Sequence, residues 1–115
     1  MTQPNQIDNL KNELSHFCLQ SATHVQNLRT LLSKENLDGL SALCVKLHID
    51  AQNIYAYMLA HLLDDALEEL AQHNVNKARI EHLVKEIEEE IYDVSEQLVG
   101  TLVLFDRQLE ARQCA

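Results

Sequence analysis

Glycine and proline are nearly missing from this chain, which has two glycines and one proline in 115 residues. Tight β-hairpins draw on those residues for their special dihedral angles, so their scarcity argues against a strand-rich fold. An excess of positive charge is missing too. Nine Lys and Arg stand against 18 Asp and Glu, for a formal charge of −9. A protein that grips a phosphate backbone or an anionic membrane surface usually carries the opposite balance, so neither nucleic acid nor membrane is expected as a partner. No run approaches the roughly 18 apolar residues of a membrane span. The opening "MTQPNQIDNLKNEL" lacks the basic-then-apolar pattern of a secretion signal, and a cytoplasmic location is expected. The three cysteines, Cys18, Cys44 and Cys114, are odd in number and widely spaced. They read as reduced thiols, with Cys18 and Cys44 acting as small buried hydrophobes.

What the chain does have is 46 % hydrophobic residues and long stretches rich in Leu, Ala, Glu and Gln. That composition predicts one packed helical domain over residues 1–115. Ile7, Leu10, Leu14, Phe17 and Cys18 recur at spacings of three and four. Ala22, Val25, Leu28, Leu31 and Leu32 continue much the same face as far as "SKEN", as one helix or as two joined near Gln20. Asn36 is a good N-cap for the next helix, with Asp38 favourably placed in its first turn. Leu59, Leu62, Leu63, Ala66, Leu67 and Leu70 mark a third helix, ending near His73. After the turn "HNVN", capped by Asn74 or Asn76, a last helix carries Ile80, Leu83, Val84, Ile87, Ile91, Val94, Leu98 and Leu102. Helices are expected near 6–33, 37–52, 57–73 and 77–110. Short loops between segments of this length predict an all-α, up-and-down four-helix bundle.

The second helix poses a question. Leu37, Leu40, Cys44, Leu47, Ala51 and Ile54 form its buried stripe. At about 100° per residue, Val45 and Ile49 fall more than 90° from the centre of that stripe. Two branched apolar side chains are thus placed where water favours a charge, with His48 at the margin between them.

Other constellations carry less. Glu13 and His16 make one Glu-x-x-His pair, whereas a di-iron bundle needs two such pairs and two further carboxylates, so no metal or cofactor is expected. His61 and Asp65 read as an i, i+4 surface pair. "KEIEEEIYD" reads as a solvated acidic face, or alternatively as a docking strip for a basic partner over Glu86 to Glu90. Tyr55 and Tyr57 flank the second turn, and either close the end of the core or extend the Val45 and Ile49 surface.

Read together, "LRTLLSKENLDGLSALCVKLHIDAQNIYAYMLA" resembles the histidine-containing phosphotransfer (HPt) domain of bacterial phosphorelays. Leu37, Leu40, Leu47, Ala51, Ile54, Ala56 and Leu59 fall on its framework positions, around a family pattern of roughly "H.LKG.A..LGA..L". In this register Val45 stands where the family has its phosphorylated histidine, His48 replaces the Lys, Ile49 replaces the Gly beside the imidazole, and Tyr55 replaces a later Gly. Valine has no nucleophile or proton acceptor, so phosphoryl transfer at this position is chemically impossible. Shifting the register by three to make His48 the acceptor puts Asp50 where a buried Leu belongs, and the match is lost.

The resemblance implies a degenerate, non-catalytic member that binds a response-regulator receiver domain or a sensor histidine kinase and modulates it by occupancy. The residues expected to meet that partner are Val45, Lys46, His48, Ile49, Gln52 and Tyr55, in a monomer or weak homodimer. The alternatives are an active phosphotransferase using His48, a bundle that self-associates through Val45 and Ile49, and an unrelated helical adaptor or chaperone.

Overall fold

The structure, a computed structural model, describes the backbone of residues 4–113 and the side chains of residues 9–100. Cys114 lies outside the described residues, as do the side chains of Ile7 and Leu102. Four helices follow one another: α1 (Pro4–Ser33), α2 (Leu37–Asn53), α3 (Tyr57–Leu70) and α4 (Lys77–Gln113). There is no strand among the described residues, and the expected all-α four-helix bundle is what the chain forms. The N-terminal segment is one continuous helix, without a break near Gln20.

The core is the predicted set of stripes brought together. Leu28 of α1, Leu40, Cys44 and Leu47 of α2, Leu59 and Leu63 of α3, and Ile80, Ile87 and Ile91 of α4 are almost wholly buried. Burial of this kind is worth roughly 1.5–3 kcal/mol per large aliphatic side chain, and that offsets the ordering of four helices. Ala22 departs from expectation and is exposed. The inward position there is taken by Ser21, whose hydroxyl donates to the Cys18 carbonyl at 2.9 Å. α3 stops at Leu70 rather than His73.

The α1–α2 and α2–α3 turns have one construction. Each ends its helix with a residue in the left-handed region, Glu35 (φ 53°) and Tyr55 (φ 61°). The Asn36 N–H reaches back to the Leu31 carbonyl at 3.0 Å, and the Ala56 N–H to that of Ala51 at 2.8 Å. These are Schellman closures, which satisfy carbonyls that a helix end leaves orphaned. Asn36 also caps α2, its side chain accepting from the Gly39 N–H at 2.9 Å. A Cβ on Gly39 would sit 2.8 Å from the Asn36 amide, so glycine lets that cap close. At the same end of the bundle, Asn76 caps α4 by accepting from Arg79, and Lys77 reaches Glu35 at 2.7 Å.

The outer helices are far longer than the inner hairpin, with 30 and 37 residues in α1 and α4 against 17 and 14 in α2 and α3. The molecule is accordingly drawn out, 62 × 25 × 18 Å with a radius of gyration of 16.7 Å. A compact chain of this length would have a radius of gyration near 13 Å.

Candidate functional site

The six candidate residues lie along the outer face of α2 and its exit turn. Val45 is 47 % exposed and Ile49 53 %, so both stand outside the core as the helical register requires. Lys46 and Gln52 are exposed beside them. His48 is half-buried on the seam with α3, where its Nε2 meets Asp64 Oδ1 at 3.0 Å. That pair fixes which flank of α2 is which. Residues on the His48 side look toward α3, and those on the Asp50 side look toward α1.

Tyr55 and Tyr57 do not close the end of the core. They are 66 % and 69 % exposed, packed edge to face with ring centroids 6.3 Å apart, and Met58 beside them is equally open. Tyr57 precedes Asp64 by nearly two helical turns, so it belongs to the α3 flank that borders α2. The geometry gives a strip of exposed apolar and aromatic groups, Val45 and Ile49 on α2 and Tyr55 and Tyr57 at the turn, beside the His48–Asp64 pair. Scattered exposed apolar residues are ordinary on any protein surface; here several gather around one hairpin. Tyr55 adopts its left-handed φ at the position where glycine is the unstrained choice, so an exposed aromatic ring is held there against a backbone cost of roughly 1–2 kcal/mol.

Two other places carry ionisable groups. A cavity of about 460 Å³ opens between α1 and the end of α2, lined by Asn12, Glu13, His16 and Phe17 on one side and Asp50, Asn53 and Ile54 on the other. Behind it lies His24, 5 % exposed, with its ring 5.8 Å from that of Phe17. Burial pushes the His24 pKa down; Asp50 opposes this, while Lys46 and His16 add to it. No group of three or more His, Cys, Asp or Glu among the described residues can hold a metal ion. His61 and Asp65 form the expected i, i+4 surface pair at 3.7 Å.

The acidic stretch of α4 is not wholly a solvated face. Glu88 is buried and accepts from Arg29 Nε at 3.1 Å, clamping α4 to α1. Its neighbour Glu90 has its pKa raised, first by burial and then by Asp93. Sequence reading missed both His24 and Glu88, although spacing marked them. His24 is four residues from Leu28 and seven from Phe17, and Glu88 lies four after Val84 and three before Ile91. A polar residue in step with a stripe is the signal for a buried polar group.

No family model, curated protein or solved structure is significantly similar to the chain. No helix among the described residues is long and apolar enough to cross a membrane.

Proposed function

We propose that this protein is a non-catalytic, HPt-like binding module that engages a receiver domain or a sensor kinase through the outer surface of α2 and its turn into α3, and regulates it by occupancy. The observation that carries this reading is the exposure of Val45 and Ile49 on the helix face where an HPt domain presents its histidine. The left-handed turn at Tyr55 supports it as well. The resembling family has Gly at that position, and the backbone here has the conformation that would call for one.

Phosphoryl transfer is not part of the proposal. Val45 offers no nitrogen, and the Nε2 of His48 is engaged by the Asp64 carboxylate, whose negative charge opposes an approaching phosphoryl group. A partner covering Val45 and Ile49 would remove their apolar surface from water, which is the favourable term for binding.

The test uses Val45→Asp and Ile49→Asp against a panel of receiver domains and sensor kinases from the source genome, with thermal melting measured alongside. Exposed substitutions usually move stability by no more than about 0.5 kcal/mol, whereas a carboxylate in the centre of an apolar interface costs roughly 2 kcal/mol or more of binding. Both variants should therefore melt like the parent and bind some thirtyfold more weakly. Leu47→Asp, at a wholly buried site, should unfold the bundle. If both surface variants bind a receiver as well as the parent does, the docking reading fails.

A further inference from the structure

The cavity between α1 and the end of α2 has no share in the docking surface. It holds about 460 Å³, within the range of pockets that enclose small molecules, and its walls are drawn from residues whose side chains are described. Both walls follow one plan. Glu13 stands four residues before Phe17 on α1, and Asp50 four before Ile54 at the end of α2, so each wall sets a carboxylate one helical turn from a buried apolar group. Phe17 and Ile54 make the floor. The acids are nearer to water, Glu13 exposed and Asp50 half-buried.

The charge inside is of one sign. Among the described residues no Lys or Arg lines the cavity, and neither carboxylate accepts a hydrogen bond or pairs with a cation. Lys46, one turn before Asp50, is exposed and is not part of the lining. Asn12 and Asn53 add amide oxygens. The end of α2 opens on the same space, and its last turn has no basic residue to offset the partial negative charge of a helix C-terminus. The chain as a whole, at −9, draws cations toward it.

These features select a ligand that is positive at one end and apolar at the other. A bare metal ion does not match, because no group of three His, Cys, Asp or Glu among the described residues can hold one. An anion would meet two unpaired carboxylates. We infer that this cavity binds a small organic ammonium ion, its nitrogen lying between the carboxylates of Glu13 and Asp50 and its hydrocarbon body on Phe17 and Ile54. His24, behind the cavity, feels the charges of Asp50 and of His16, which also lines it, so a cation seated there registers at two imidazoles.

The experiment titrates benzylammonium into the isotope-labelled full chain and follows amide and imidazole resonances. Saturable shifts are expected at Glu13, Phe17, Asp50 and Ile54 and at both rings, with a Kd at or below about 1 mM. Benzyl alcohol has the same body without the charge, and methylammonium the charge without the body; each should bind roughly tenfold more weakly or worse. Glu13→Gln and Asp50→Asn should each weaken benzylammonium about tenfold while the thermal transition is retained. Glu68→Gln, which removes the same charge from an exposed site on α3, should leave binding unchanged. The inference is overturned by a parent protein with no saturable shift at about 10 mM probe, by benzyl alcohol binding as well as benzylammonium, or by all three variants binding alike. A lysine tripeptide that binds more tightly than the free amine overturns it in favour of a partner's side chain. Val45 and Ile49 do not line this cavity, so this test and the docking test fail independently.

Discussion

The α1–α2 turn and the α2–α3 turn are the same backbone used for different ends. In each, a non-glycine residue takes the left-handed conformation, and the two following N–H groups make corresponding bonds, with Leu37 to the Glu35 carbonyl and Tyr57 to the Tyr55 carbonyl both at 3.1 Å. The side chains diverge. Glu35 holds Lys77 and Asn36 caps α2, so the first turn is secured by polar groups. At the second turn Ala56 makes no side-chain cap, and Tyr55, Tyr57 and Met58 are turned to water. The lesson is that backbone geometry leaves the choice of side chain open. One turn uses that freedom for local stability, whereas the other gives up a cap and displays aromatic surface.

The largest effect expected is one the two turns share. The first wholly buried leucine after each, Leu40 and Leu59, anchors it to the core. Leu40→Ala and Leu59→Ala should each cost about 2–5 kcal/mol by denaturant unfolding. A loss at Leu59 far below that at Leu40 would show that the second turn is loosely held, and that its exposed rings reflect poor packing.

The caps should behave oppositely. Asn36→Ala should lower stability by about 1 kcal/mol, because the Gly39 N–H loses its acceptor. Ala56→Ser should raise it by less than that, since a hydroxyl there supplies a cap now missing while part of the site is already packed. If Ala56→Ser lowers the melting temperature instead, alanine is there for packing and the contrast between the turns is one of space.

The smallest effect is electrostatic and belongs to the first turn alone. The hydrogen bond from Lys77, and then its charge, hold the Glu35 pKa below its ordinary 4.5, so this carboxylate adds stability above that pH and loses it as pH falls through the lower folded value. Lys77 is shifted up from 10.5 by the same partner, so its contribution is present below that pH and fades as pH rises through the higher folded value. Lys77→Gln should flatten the acid limb of the melting curve slightly, most visibly at low salt. An equal flattening at high salt would mean that the pair is not the source.

The four helices were legible because each stripe repeats every three or four residues for several turns, and the exposure of Val45 and Ile49 followed from the same angles. Periodicity fails where one position decides. Ser21 and Ala22 are adjacent in sequence but about 100° apart around the helix, and it is Ser21 that faces inward. α3 ends three residues before the His73 that its sequence predicts, because "AQH" carries no helix breaker to mark the stop. The left-handed Glu35 and Tyr55 were hidden because neither is glycine, and the His48–Asp64 and Arg29–Glu88 pairs join different helices, which no single-helix pattern contains. The cavity beside Asp50 likewise depends on how two helices meet.

Cys44 sits at the centre of the bundle with no exposed surface, and burial raises its thiol pKa to about 11. Only a thiolate attacks an alkylating reagent, so in the closed bundle this sulfur is silent at neutral pH on two counts, access and ionisation. Cys18, half-buried and shifted less far, should react earlier. Once Cys18 and Cys114 are blocked, the rate at which Cys44 takes up reagent becomes a clock for how often α2 lifts from the other helices. A native residue can therefore time the breathing of the helix that carries the candidate surface, with no label added to that surface.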